Sequence, residues 1–188
     1  MEVIEAIKQR RTIRRFKQIP LEKEAIAKLI DAGRVASCGG NIQRLSYIVV
    51  QERELLEGIF AHTAWGGAVR PKRNPVLGVS SPMAFLVLTS SKGDASVDAA
   101  SAIANIQLAA WDMGIGCCWI GAYKKDPVDA LLGLDGDMKS IFLVALGVPD
   151  ECPESEDITL EDDQKYYLDG NDKLHVPKYT VESITEWR

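Results

Sequence analysis

The stretch Arg10-Arg11-Thr12-Ile13-Arg14-Arg15 places four arginines within six residues of a chain whose formal net charge is −5. It follows a helical spacing of apolar residues within positions 3–7, and its β-branched Thr12-Ile13 pair favours an extended backbone. Arginines around such a turn can direct their planar guanidinium groups at one anion, and phosphate accepts the paired hydrogen bonds that they offer. A solvated basic patch, or cations facing the carbonyls at a helix end, explains the stretch alone equally well.

The composition describes an ordinary globular protein. The chain has 188 residues, of which 46% are hydrophobic and 26% charged, and this length predicts a single domain over residues 1–188. A sequence pI near 5.1 argues against nucleic-acid binding, so the arginine cluster suits one small anion better than a polyanion. The first residues include Glu2 and Glu5 and do not form the apolar core of a signal peptide. The longest uncharged run, 74–91, contains prolines and serines, so it is not a membrane span. We therefore expect a cytoplasmic protein that does not enter membranes.

The cysteines indicate reduced thiols and no metal site. The four cysteines are Cys38, Cys117, Cys118 and Cys152, and none forms a CxxC pair. With only two histidines in the chain, no zinc-binding spacing appears. Cys117 and Cys118 are adjacent in a predicted strand, so they should point to opposite faces of a sheet.

Periodicity predicts an α+β protein with a sheet flanked by helices. Predicted helices follow the first one at 20–36, 52–60, 98–113 and 126–132, and predicted strands lie at 46–50, 83–89, 117–120 and 141–146. The strand at 46–50 is apolar enough to be interior. The helix at 98–113 has no charge from 99 to 111, which indicates a central helix or a large subunit interface. The acidic segment 151–163 reads as a solvated loop, followed by a turn at 169–171.

Two connections could contribute to a site. Residues 37–43 contain two glycines and an asparagine, which allow positive φ and close approach of a ligand, although a plain helix-to-strand turn has the same composition. The irregular connection 61–82 is long enough to be functional. It could be a lid that brings Trp65, Arg70, Lys72 and Arg73 to a substrate, hinting at an anionic aromatic one, or it could be a surface or dimer-contact loop.

The motifs together resemble the FMN-dependent nitroreductase family. Residues 10–14 resemble its opening motif, usually Arg-Arg-Ser-x-Arg, and Ser-Cys-Gly-Gly-Asn-Ile-Gln at 37–43 is similar to its second motif, commonly Pro-Ser-x-x-Asn-x-Gln-Pro-Trp. Residues 98–121, ending in Cys118-Trp119-Ile120-Gly121, resemble its central helix and the following strand. Leu-His-Val-Pro-Lys at 174–178 is similar to its C-terminal segment on the phosphate side. The resemblance spans nearly the whole chain in the right order.

This resemblance implies a nitroreductase-like central mixed sheet flanked by helices, and an intertwined homodimer with two FMN sites at the subunit interface. By motif position, the implied cofactor-binding residues are Arg10, Arg11, Thr12, Arg14, Ser37, Cys38, Gly39, Asn41, Gln43, Trp119, Ile120, Gly121 and Lys178. The first motif and Lys178 would hold the phosphate and ribityl groups, and residues 37–41 would come from the partner subunit. Ile120 and Gly121 would offer backbone N–H groups near flavin N5.

The implied activity is an FMN-dependent NAD(P)H oxidoreductase that reduces a small acceptor, such as a nitroaromatic or a quinone, by two electrons. The flavin would carry the chemistry, so no catalytic side chain is expected beyond Arg14, whose cation would stabilise negative charge at the N1–C2 edge. The alternative is a flavin- or nucleotide-binding sensor on the same scaffold. It remains open because Ser37, Cys38 and Arg44-Leu45 depart from the second motif, and Tyr179 stands where arginine is common.

Overall fold

The computed structural model describes residues 1–69 and 72–188. Its helices are α1 (Val3–Gln9), α2 (Lys23–Arg34), α3 (Arg53–Ala61), α4 (Ser96–Asp112), α5 (Lys125–Leu131) and α6 (Val181–Ile184), with short 3-10 turns at Gly39–Asn41 and Gly67–Val69. Its strands are β1 (Phe16–Lys17), β2 (Ser46–Val50), β3 (Ala84–Ser90), β4 (Gly116–Ile120), β5 (Lys139–Pro149), β6 (Glu154–Ile158), β7 (Tyr167–Leu168) and β8 (Leu174–Tyr179). The α+β class predicted from sequence is confirmed, and the predicted helices and strands begin and end close to the observed ones.

The central sheet is built around β5, which pairs with β1, β3 and β4, while β2 pairs with β3. All of these pairs are antiparallel, so the expectation of a mixed central sheet is wrong for the described strands. Every residue of β3 is buried, because it lies between β2 and β5. The expected interior strand at 46–50 instead lies at the sheet edge, with Val49 41% exposed, since the described chain places no strand on its far side.

The sheet separates two apolar clusters. Helices α2 and α4 cover one face, and they approach closely because Gly33 presents no side chain to Ile106. Asn105 of α4 donates a hydrogen bond from Nδ2 to the Ala32 carbonyl at 3.1 Å, which satisfies a polar group within this packed interface. As predicted, adjacent Cys117 and Cys118 belong to opposite clusters.

One side of the protomer remains apolar and exposed. In α1, Val3, Ile4 and Ile7 are 67%, 64% and 49% exposed, although their spacing is that of a core-facing stripe. Helix α4, which contacts α1, is buried along only one face, and Ala104 on its other face is exposed. The stretch of α4 that carries no charge, residues 99–111, is therefore not enclosed by the rest of the described chain.

The C-terminal region forms a second, three-stranded sheet in the order β6-β8-β7. This corrects the expectation of a solvated acidic loop at 151–163, because residues 154–158 pair in parallel with β8. The side chain of Glu151 is only 3% exposed. Alternation across the strand lets β6 carry outward acidic side chains while its backbone is hydrogen-bonded. Within the described residues, no helix is long and apolar enough to cross a membrane.

Candidate functional site

The arginine-rich stretch runs as extended chain between α1 and β1, beside β4. Ile13 N–H donates to the Cys117 carbonyl at 3.0 Å, and the fully buried Ile13 lies against Gly116, where a Cβ atom would come within 2.9 Å of it. The glycine is what allows the stretch to lie this close to the strand. Apolar Ile13 anchors the chain while Arg10, Thr12 and Arg14 on either side remain partly exposed.

These residues line a small cleft. Its walls are Arg10, Arg11, Thr12, Arg14, Tyr166, Val176 and Lys178, enclosing about 60 Å³. None of these residues is acidic, so the cleft concentrates positive charge in an otherwise acidic protein. Arg10 Nη1 and Arg11 Nε are buried and have no hydrogen-bond partner within the described chain. Buried donors without partners are costly, and an anion that accepts from them would remove that cost.

Arg11 differs from its neighbours because its guanidinium is mostly committed to the protein. Nη2 donates to the Lys8 carbonyl at 2.6 Å and to Ser155 Oγ, and Nη1 donates to the Arg10 carbonyl. Burial, and then the neighbouring Arg10 charge, lower the pKa of Arg11. Arg11 therefore closes the end of α1 and ties it to β6, and its Nε is the guanidinium nitrogen that has no hydrogen-bond partner within the described chain.

Arg14 lies between two different segments. Its guanidinium carbon is 5.1 Å from the centroid of the Tyr166 ring, a cation–π distance. On another side it lies against Gly66, where a Cβ atom would stand 3.5 Å from Arg14 Cδ. Burial raises the pKa of the Cys118 thiol to about 11, although the nearby Arg14 charge acts in the opposite direction. That thiol is thus protonated and inert at neutral pH.

A buried carboxylate fixes the backbone of the stretch. Glu151 Oε1 accepts hydrogen bonds from the N–H groups of Arg14 and Arg15. Its Oε2 lies 3.6 Å from Nη1 of Arg73, which is itself buried and also contacts Asp172. This cluster joins the opening stretch, the 61–82 connection and the turn before β8.

The second motif lines a different cleft, which shares no lining residue with the first. Its walls are Gly33, Arg34, Ala36, Ser37, Cys38, Gln43, Arg44, Leu45, Tyr47, Asp98 and Ala102, enclosing about 70 Å³. Gly40 and Asn41 have positive φ, as their residue types allow, and Gln43 does too, which the composition did not indicate; the three φ values lie near 50–60°. Arg44 Nε lies 3.8 Å from Asp98 Oδ2, and Gly39 N–H donates to Asp98 Oδ1 at 3.5 Å. The arginine that departs from the family motif thus helps hold this turn on α4.

The predicted residues at the end of β4 are not among the lining residues of either cleft. Ile120 is buried, Gly121 is exposed, and Trp119 packs edge-on against Phe142 with ring centroids 5.0 Å apart. The chain beyond Gly121 is held by the start of the long connection, because Ala64 N–H donates to the Ala122 carbonyl at 2.8 Å. Tyr179, at the position where arginine is common, donates to Gln164 and does not line the first cleft.

Two residues predicted to approach a substrate from the 61–82 connection are buried. Trp65 lies in the second apolar cluster and donates from Nε1 to Thr63 Oγ1 at 2.9 Å. Arg73 is engaged by Glu151 and Asp172. Contact of either side chain with a substrate stays a prediction. Lys72 is exposed, and Arg70 lies outside the described residues.

Three residues around the first cleft were missed from the sequence. Tyr166 and Glu151 lie in or beside the acidic region that we interpreted as loop, and Gly66 lies in the irregular connection. Only Glu151 carried a usable signal, since it follows directly on the strand-ending Gly147-Val148-Pro149-Asp150. The position of Tyr166 depends on the pairing of β6 with β8, which local sequence does not reveal.

Comparison with known proteins agrees with this architecture. A protein of Methanothermobacter thermautotrophicus, provisionally named an NADH dehydrogenase/NAD(P)H nitroreductase, is 29% identical over 188 residues, covering 95% of this chain and 88% of the relative. The NADPH-flavin oxidoreductase of Vibrio harveyi is 29% identical over 164 residues, covering 80% of this chain and 67% of the relative. The structure of an FMN-dependent nitroreductase from Clostridium difficile R20291 superposes with a TM-score of 0.64 at 25% identity, covering 79% of this chain and 88% of that one. Residues 7–148 match the Nitroreductase family, and the chain belongs to that family.

Proposed function

We propose that the protein is an FMN-dependent NAD(P)H oxidoreductase that reduces a small acceptor, such as a nitroaromatic or a quinone, by two electrons. Membership of the Nitroreductase family supports the oxidoreductase class, and the names of the Vibrio harveyi and Clostridium difficile relatives support a flavin and, more specifically, FMN. The donor, NADH or NADPH, and the acceptor are the finer parts of this proposal. Its setting is the cytoplasm, in keeping with four free cysteines.

The observation that carries the proposal is the unpartnered, buried Nη1 of Arg10 in a cleft that Lys178 also lines. A phosphate monoester carries about −1.5 to −2 charges at neutral pH and presents three acceptor oxygens. Two cations and the Thr12 hydroxyl match such a group in charge and in donor type. The residues present therefore fit the phosphate end of FMN, and Arg10, Thr12 and Lys178 would hold it.

The other residues of the site would orient the ring. When bound, FMN supplies the hydride and electron chemistry, which no side chain of this site could supply. Arg14 would place a fixed cation at the N1–C2 edge, where negative charge increases on reduction. The backbone N–H groups of Ile120 and Gly121 would face N5. Packing of Trp65 and Ile13 beneath the site would keep water from the inner side of the cleft.

We further propose that the working unit is an intertwined homodimer. The apolar face of α1 is exposed, and α4 is buried along one face only. Together they form an apolar surface of the kind that subunit interfaces bury. The cleft formed by Ser37, Cys38 and Gln43 is separate from the Arg10 cleft within one protomer. A partner subunit would supply this second motif, including Gly39 and Asn41, to complete the cofactor site. Arg70 and Lys72 remain candidates for contacting an anionic acceptor.

The test is a titration of the cofactor-free protein with FMN and with riboflavin, which lacks the phosphate. We expect Arg10→Met and Lys178→Met each to weaken FMN binding by roughly tenfold or more, the loss of one charge-assisted contact, while riboflavin binding is unchanged. Lys17→Met, at an exposed position of β1, is the matched control. Equal FMN and riboflavin affinities in the wild-type protein would contradict a phosphate site in this cleft.

A further inference from the structure

We propose that Tyr166 is a positioning residue that holds the Arg14 guanidinium in place at the cofactor cleft. The effect on a flavin rests on the proposed function, whereas the effect on Arg14 does not. Tyr166 lies beyond residues 7–148 that match the family, in the segment between β6 and β7. It lines the same cleft as Arg10, Arg14 and Lys178.

The first support is the contact itself. The Arg14 guanidinium carbon lies 5.1 Å from the Tyr166 ring centroid, within the range over which an aromatic face attracts a cation. Such a contact restrains the cation more strongly as the pair is desolvated. A cation over a ring can still use its in-plane N–H groups as donors, so the contact restrains Arg14 and leaves those groups available to a ligand.

The second support is that Tyr166 is itself held. Its hydroxyl accepts a hydrogen bond from the Ala68 N–H at 3.2 Å. Ala68 lies two residues after Gly66, and Gly66 is the residue that contacts Arg14 from the long connection. Gly66 has a φ of +41°, and a side chain there would touch Arg14. Tyr166 and Gly66 therefore form two linked walls around one flexible side chain.

This arrangement has a defined consequence. A free arginine side chain loses rotamer entropy when it is fixed, and a pre-ordered one has already lost that entropy before a ligand binds. An ordered cation also stabilises developing charge without reorganising. Removing the Tyr166 ring should therefore leave the Arg14 charge in place but let it move, which weakens its preference for the reduced over the oxidised flavin.

The experiment compares Tyr166→Leu and Tyr166→Phe with Tyr167→Leu as the matched control. Tyr167 is the next residue, but its ring stacks on His175 and its hydroxyl donates to Glu156, away from the cleft. The first readout uses the full-length protein without cofactor: the rate at which phenylglyoxal modifies Arg14, followed by peptide mass spectrometry. The second readout is the two-electron midpoint potential of bound FMN.

We expect Tyr166→Leu to speed Arg14 modification several-fold and to lower the potential by about 30 mV, which corresponds to a tenfold change in relative affinity. Tyr166→Phe retains the ring but loses the hydrogen bond from Ala68, so it should fall between wild type and Tyr166→Leu, whereas Tyr167→Leu should stay close to wild type. An unchanged Arg14 rate or an unchanged potential in Tyr166→Leu, or an equal response in Tyr167→Leu, would overturn the inference. If the wild-type protein binds no flavin and Tyr166→Leu still exposes Arg14, the proposed function fails and the positioning role stands.

Discussion

Glu151 shows how one buried carboxylate can order a cationic stretch. It accepts from the backbone of Arg14 and Arg15, and its negative charge is balanced by the buried Arg73. From the sequence, Glu151 belonged to a solvated acidic run, and Arg73 to a connection that could be a substrate lid or a surface or dimer-contact loop. None of these interpretations indicated that the two residues meet. Charge composition predicts that acids are exposed on average, but it cannot tell which one has a buried counter-ion brought by the fold.

At this residue we expect Glu151→Ala to lower the free energy of unfolding by about 3–5 kcal/mol, because it leaves Arg73 without its buried counter-ion and two N–H groups without an acceptor. Glu151→Gln keeps one acceptor oxygen, so it should lower the free energy of unfolding by less than Glu151→Ala does. The measurement is urea denaturation, with the exposed Glu161→Ala as control. A Glu151→Ala protein as stable as the control would show that the carboxylate does not anchor the stretch.

At the scale of elements, the arginine stretch depends on its contact with β4. The helix, strand and turn positions of this region were predictable from periodicity, and the left-handed turn at 37–43 from its glycines and asparagine. The closeness of the stretch to β4 was not, because it depends on Gly116 lacking a side chain beside Ile13, two positions about a hundred residues apart. The pairing of β6 with β8 was also not predictable, because the register that joins Glu154 to His175 is not encoded in either segment alone.

Gly116→Ala tests that contact. A Cβ atom there would come within 2.9 Å of Ile13 Cβ and Cγ2, which belong to a stiff, fully buried side chain. We expect a loss of about 1–3 kcal/mol in the free energy of unfolding, together with weaker FMN binding because the flanking arginines move. Gly170→Ala, where a Cβ would meet nothing within 4 Å, is the control. If the Gly116→Ala protein is destabilised but binds FMN as tightly as wild type, the contact between Ile13 and Gly116 does not set the positions of the arginines at the site.

At the scale of the whole molecule, the exposed apolar face of α1 is the observation that best supports the proposed dimer. Sequence periodicity correctly predicted an amphipathic helix there, but a single chain could not show what covers its apolar side. In the proposed dimer that surface is covered, and the second motif of one subunit completes the cleft of the other. Dimerisation and cofactor binding should therefore be lost together.

The double substitution Ile4→Glu with Ile7→Glu should convert the dimer into monomers and abolish FMN binding, because charges would have to be buried at the interface. Analytical ultracentrifugation measures the mass of the protein in solution, and flavin fluorescence measures the binding of FMN. Val79→Glu, in an exposed loop, serves as the control. A dimer that persists in the double variant would place the interface elsewhere.

The central claim is that the cleft holds a flavin that a nicotinamide reduces. Its most direct measurement is the visible absorption spectrum of the FMN-reconstituted protein, recorded anaerobically before and after NADH or NADPH is added. We predict a flavin spectrum that bleaches with at least one donor and returns when a quinone is added. A flavin that stays oxidised with both donors would favour a sensor, and a protein that takes up no FMN would contradict the account.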